Sequence, residues 1–212
     1  VDTLQGMLDA ARCCAAQDPP PGPRLCVVTN SGGPGILVAD AASNAGFDVA
    51  EASEGLRGRL ARALPSTAAT ANPIDMLASA TTERYREVVG EVVASGEYDA
   101  IVVVYTEIEV ADLDELGAAV AAATADARCA VLAVVIGSAD APAGLGDGER
   151  RIPVYRTPAA AVAALAAARE RRELLARETG ALVEPAGADV AACRAVIAEQ
   201  GGDGWLGAGR RR

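Results

Sequence analysis

A doubly wound α/β fold, with one parallel sheet covered by helices on both faces, is what the sequence predicts, and three observations carry that expectation. Five short apolar runs recur along the chain, separated by stretches with helical spacing. The runs are continuously apolar and do not alternate, as strands buried on both faces must be. The first run, Leu25-Cys26-Val27-Val28, passes through the Gly-rich turn Thr29-Asn30-Ser31-Gly32-Gly33-Pro34-Gly35 into a helical pattern, the joint typical of such sheets.

Taken in order, apolar residues at Val1, Leu4, Met7, Leu8 and Ala11 predict a helix to Gln17. Asp18-Pro19-Pro20-Pro21-Gly22-Pro23 stops it as a stiff connector. After the Gly-rich turn, Ile36 to Ala45 reads as a helix closed by Gly46, with Pro34 suited to its first turn. Phe47–Ala52 is the second strand expected, and Ser53 caps a helix to about Leu64. Residues 66–79 are small and polar, and Asn72, preceding Pro73, is driven to extended geometry. A helix from Thr82 to Ser95 ends at Gly96, and Asp99–Tyr105 is the strongest strand. Asp112 with Glu115 starts a helix from Leu113 to about Thr124. Ala130–Ile136 and Ile152–Tyr155 are the remaining strands, joined by a Gly-, Ala- and Asp-rich loop. Thr157-Pro158 opens a long Ala-rich helix to about Arg177, and Ala188 to Glu199 predicts a short last helix. The expected strand order sets Leu25–Val28 between Phe47–Ala52 and Asp99–Tyr105. Three regions follow: 1–23, a leading helix and connector; 24–180, the α/β domain; and 181–212, a linker.

Composition excludes much chemistry. The chain has 212 residues, no histidine and a net charge of −10, and all 19 of its basic residues are arginine. Without His there is no Ser-His-Asp triad, imidazole base, histidine metal ligand or phosphohistidine in this chain. Without Lys there is no Schiff base and no Walker loop. The acidic balance argues against nucleic acid and anionic membranes as partners. Five scattered cysteines (Cys13, Cys14, Cys26, Cys129 and Cys193), with no C-x-x-C pair, read as reduced thiols in a cytoplasmic protein, and Cys26 and Cys129 as inert core. No residue qualifies as catalytic and none as a metal ligand. The start at Val1 reads as an excised piece of a longer protein.

What remains is a backbone site. Gly32, Gly33 and Gly35 leave the first amides of the helix open, and with the helix dipole they suit a phosphate or an oxyanion. Close helix–sheet packing accounts for such glycines equally well. For Asp75, an orienting acceptor beside a ligand and a helix cap are both open.

The order Val27-Val28-Thr29-Asn30-Ser31-Gly32-Gly33-Pro34-Gly35, then Asp40, then Asn72-Pro73-Ile74-Asp75 resembles the ADP-forming acyl-CoA synthetases of the acetyl-CoA synthetase type. The likeness spans nearly the whole chain and is to their flavodoxin-like ligase domain, related to the C-terminal domain of the succinyl-CoA synthetase β subunit. It implies a five-stranded flavodoxin-like sheet and a share in acid + CoA + ATP giving acyl-CoA, ADP and phosphate through acyl-phosphate and phosphohistidine. CoA and ATP or ADP with Mg would serve the full enzyme, none of them held by this chain. Its partners would be CoA-binding, phosphohistidine-bearing and ATP-grasp domains, and a small acyl substrate, with 181–212 leading towards the ATP-grasp domain. The resemblance assigns Asn30, Ser31, Gly32, Gly33 and Gly35 to phosphate or acyl-phosphate binding, and Asn72, Asp75 and Thr106 to the pocket lining. Glu107 and Glu109 stand where the related ligase has small residues. Two other functions stay open: a regulatory synthetase-like domain of a protein lysine acetyltransferase, and a non-catalytic interaction module.

Overall fold

A computed structural model of the protein describes residues 1, 3–107, 112–138, 141–145, 151–178, 180 and 187–200. In chain order the elements are α1 (Leu4–Ala16), β1 (Leu25–Thr29), α2 (Gly32–Asn44), α3 (Glu54–Ala63), β2 (Ile74–Asp75), α4 (Thr82–Ser95), β3 (Ala100–Thr106), α5 (Leu113–Ala123), β4 (Ala130–Ile136), β5 (Val154–Tyr155), α6 (Pro158–Ala176) and α7 (Val190–Gln200). The strands form one parallel sheet in the order β2-β1-β3-β4-β5, the flavodoxin-like arrangement expected. Residues 1–176 make one compact unit and 177–212 a second, in which α7 is the described helix. None of the helices among the described residues is long and apolar enough to cross a membrane.

Strand side chains alternate between two cores. Val28, Ile101, Val103, Val131 and Ala133 face Leu56 and Leu60 of α3, Tyr85 and Val88 of α4 and Val120 of α5. Leu25, Val27, Val102, Val104, Leu132 and Val134 face Val38 of α2, Cys13 of α1 and Val162 and Leu165 of α6. This two-sided burial explains the continuous apolar runs. Cys26 is fully enclosed, as an inert core thiol should be, and burial pushes its thiol well above the ordinary range; Cys129 is half-buried.

One strand expectation needs correction. Phe47–Ala52 does not form the second strand; its Asp48 makes a single parallel bridge to Arg24, and Ile74–Asp75 takes the place beside β1. The reason lies in the main-chain pairing. Asp48 exchanges bonds with the start of β1, donating to Pro23 O and accepting from Leu25 N, both at 2.8 Å. Phe47 then turns into the core against Val38 and Ala42. Next along the same flank, the Asn72 amide fills the gap: its Oδ1 accepts from Val27 N at 2.9 Å, and its Nδ2 donates to Leu25 O at 2.7 Å and Ala50 O at 3.0 Å. Ile74 and Asp75 continue the row, and Met76 N donates to Thr29 O at 2.8 Å. The outer strand is therefore a composite of Asp48, one side-chain amide and a two-residue strand. At the far side, β5 covers only part of β4, and Gln17 completes the row, its amide exchanging two 2.9 Å bonds with the main chain of Val131. The stretches of β1 and β4 that the two-residue strands β2 and β5 leave unpaired are thus bonded by side-chain amides.

The helices begin and end for local reasons. Thr3, Ser53, Thr81 and Asp112 accept bonds from first-turn amides of α1, α3, α4 and α5. Gly46 has φ +76°, and there Arg169 of α6 donates to Gly46 O and Ala45 O, with its guanidinium 4.4 Å from the centre of the Phe47 ring. Gly22 is required by close approach: a Cβ there would stand 2.5 Å from Asp99 Oδ2. Asp99 is buried and receives Arg24 through Nε, Nη2 and the main-chain N–H. Those bonds hold its carboxyl below the usual value. A carboxylate depressed on folding stabilises the fold above its unfolded pKa of about 3.9, and that stability is lost as pH falls through the lower folded value. Asp99→Asn should therefore flatten the acid limb of the stability–pH profile measured by urea unfolding. A variant profile parallel to wild type would contradict it.

Candidate functional site

The Gly-rich turn lies at the carboxyl end of β1, flanked by β2 and β3, where the strand order reverses and ligands of such sheets bind. Its geometry is built from Thr29 outward. Thr29 Oγ1 accepts from Ser31 N at 3.0 Å and donates to Ser31 O at 2.9 Å, which folds the chain sharply after the strand. Ser31 is the N-cap of α2 but makes no side-chain capping bond, and Gly35 N returns to Ser31 O at 3.2 Å. Pro34 has no N–H. Of the first amides of the helix, Gly32 N and Gly33 N are therefore the open ones, with no protein acceptor among the described residues.

Each glycine answers a different need. A Cβ on Gly35 would stand 2.8 Å from Thr29 Cγ2, so this glycine lets α2 start close against the sheet. One on Gly32 would stand 3.1 Å from Asp75 Oδ2, whereas one on Gly33 meets open space. Packing thus accounts for Gly35, and the exposed amide surface belongs to Gly32 and Gly33.

Asn30 is buried, and its amide is spent inside the protein: Oδ1 accepts from Thr106 N and Nδ2 donates to Thr106 O, both at 2.9 Å. It extends the β1–β3 ladder by one side chain and fixes the height of the turn. Thr106, at the end of β3, has an enclosed Oγ1 with no hydrogen-bond partner among the described residues. Asp75 sits between the turn and the composite outer strand. Its main chain exchanges 3.0 Å bonds with Ala69, and Oδ1 accepts from Leu77 N at 2.9 Å. Its carboxylate caps no helix of its own; it closes a turn at Leu77, whose φ is +69°.

Asn30, Ser31, Gly32, Gly33, Gly35, Asp75 and Thr106 thus gather at one end of the sheet. Asn72 does not join them, because its amide bonds main-chain atoms of Leu25 and Val27, at the start and middle of β1. Glu107 is exposed and lies against Gly137, and its N–H donates to Ile136 O; Glu109 lies outside the described residues. Two features escaped the sequence reading. Ile36 and Leu37, each 58% exposed, leave an apolar flank beside the turn. A cleft of about 430 Å³ opens beyond β4 and β5, lined by Asp9, Arg12, Ser138, Tyr155, Arg156 and Thr157 among others. No group of three or more metal-ligating side chains forms among the described residues.

No family model matches the chain. It is similar to the α subunit of acetate–CoA ligase [ADP-forming] II of Pyrococcus furiosus, 42% identical over 84 residues, which is 40% of this chain and 18% of that one. Acetate–CoA ligase [ADP-forming] I subunit α of the same organism is 27% identical over 78% of this chain and 36% of the relative. The 4-hydroxybutyrate–CoA ligase [ADP-forming] of Nitrosopumilus maritimus is 25% identical over 79% of this chain and 24% of its own length. In fold, a solved Pyrococcus horikoshii OT3 protein superposes with TM-score 0.76 and 27% identity, over 84% of this chain and 42% of that one. An acetyl-coenzyme A synthetase 1 of Ca. Korarchaeum cryptofilum, in complex with phosphate and ADP, superposes with TM-score 0.71, over 84% of this chain and 40% of that one; at 23% identity it supports the fold alone. The matches cover less than half the length of each of these relatives. Its motifs, its fold and these matches agree: the chain is similar to part of the ADP-forming acyl-CoA synthetases.

Proposed function

We propose that residues 24–180 act as the ligase-type domain of an ADP-forming acyl-CoA synthetase, presenting Gly32 N–H and Gly33 N–H to a phosphoryl or acyl-phosphate group carried by another domain. The observation that carries this reading is the pair of amides, unpartnered among the described residues, at the start of a 13-residue helix at the switch point of the sheet. The matched CoA ligases favour it over an acetyltransferase regulator or a free-standing interaction module. Ser31 and Gly35 shape the turn, Asn30 and Thr106 hold it against β3, and Asp75 borders it. Asn72 serves by closing the outer flank of the sheet. Residues 1–23 lead into the domain and 181–212 lead on towards an ATP-grasp domain. CoA, nucleotide and Mg belong to the other parts of the assembly, as does the histidine; exposed Ile36 and Leu37 would meet the histidine-bearing domain. Such an enzyme works in the cytoplasm.

The chemistry asked of this chain is charge stabilisation alone. Backbone amides lower the energy of an oxyanion, but they do not accept and pass on a phosphoryl group. The isolated 212-residue chain should therefore take up no label from γ-labelled ATP and form no acyl-CoA. Joined to the CoA-binding, histidine-bearing and ATP-grasp domains, it should support labelled histidine. Turnover by the isolated chain, or an absence of histidine labelling in the joined protein, would overturn the reading.

A further inference from the structure

We infer that Asp75 sets the charge of ligand that the Gly32–Gly33 turn accepts, a reading that rests on the turn's proposed role and concerns its selectivity. The carboxylate is fixed there by more than its own chain position. Asp75 is paired to Thr29 in the sheet, bonded to Ala69 through both main-chain groups, and tied by Oδ1 to Leu77 N at 2.9 Å. Those constraints leave Oδ2 against the first residue of α2, 3.1 Å from where a Gly32 Cβ would stand. Gly32 is thus the residue that lets an acid reach this point.

A negative charge beside the first turn of a helix is favoured by the same dipole that attracts a ligand anion. Asp75 acts as an internal counter-charge, and an incoming anion meets both the amides and this carboxylate. A free phosphate dianion is repelled at a distance of a few ångströms, whereas a group that arrives with one charge, or with a cation beside it, is repelled less. The turn therefore discriminates against a free inorganic phosphate dianion and leaves its amides for a phosphoryl group that arrives with a cation beside it. The selecting element is the charge of Asp75, since its Oδ1 bond to Leu77 can be made equally by an asparagine oxygen.

The test is an amide NMR titration of the whole chain with inorganic phosphate at neutral pH, for wild type, Asp75→Asn and Asp75→Ala. Gly32 and Gly33 amides should shift in all three proteins, and both variants should bind on the order of tenfold more tightly than wild type. Equal tightening in the two variants identifies charge as the cause, because only Ala also removes the Leu77 bond. Affinity in Asp75→Asn equal to or weaker than wild type, with shifts still centred on Gly32 and Gly33, would overturn the role of Asp75 and leave the turn reading standing. Absence of shifts at Gly32 and Gly33 in all three would overturn both.

Discussion

Asn72→Ala should destabilise the fold by about 2–5 kcal/mol. The side chain makes three main-chain hydrogen bonds, and two of them go to residues with 0% exposure, Leu25 and Val27. Removing the amide leaves a buried N–H and a buried C=O unpaired, and each orphan costs about 1–3 kcal/mol. Asn72→Asp should fail almost as badly. Its carboxylate still accepts from Val27 N, but it sets a charged oxygen against the carbonyls of Leu25 and Ala50. Urea unfolding with an unchanged m-value checks both. A loss below about 1 kcal/mol for alanine would mean that the outer flank does not depend on the side chain.

Why the sequence pointed elsewhere for this residue is instructive. Asn72-Pro73-Ile74-Asp75 was legible as a motif, and the proline argues against Asn72 in a helix interior. What a motif does not carry is the partner of an amide, because a strand's missing neighbour is a matter of tertiary pairing. The same holds for Asn30 and Gln17: all three amides bond main-chain atoms between 22 and 114 residues away. The sheet itself was legible, since burial on both faces writes continuous apolar runs such as Ile101–Val104 and Val131–Val135. Phe47–Ala52 was not, because apolar content alone does not tell a strand from a segment that crosses under a helix. Its Phe47 and Ala52 are buried in opposite cores, yet only Asp48 reaches the ladder. Within the turn, the glycine pattern was readable, but the division of labour among Gly32, Gly33 and Gly35 was not. That division depends on Thr29 and Asp75, which approach from the sheet.

The division supplies the sharpest functional test. In the joined synthetase, Gly33→Val should lower the rate of histidine labelling by about a hundredfold to a thousandfold, on the order of the loss of one oxyanion donor, while CoA binding stays at the wild-type value. The substitution is informative because a Cβ at Gly33 meets open space, so α2 and the sheet keep their packing. Branched methyl groups there crowd the approach to Gly33 N–H and its neighbour Gly32 N–H, which are the two open amides. Gly35→Val would not serve the purpose, since its Cβ would press on Thr29 Cγ2 at 2.8 Å and the turn itself would give way. Stability should separate the two variants: Gly33→Val should unfold close to wild type, and Gly35→Val should lose about 1–3 kcal/mol through overpacking. Labelling and CoA affinity measured side by side then read the turn alone. Wild-type labelling in a folded Gly33→Val protein would remove the amide pair from the mechanism, because its blocked N–H groups would have had nothing to stabilise.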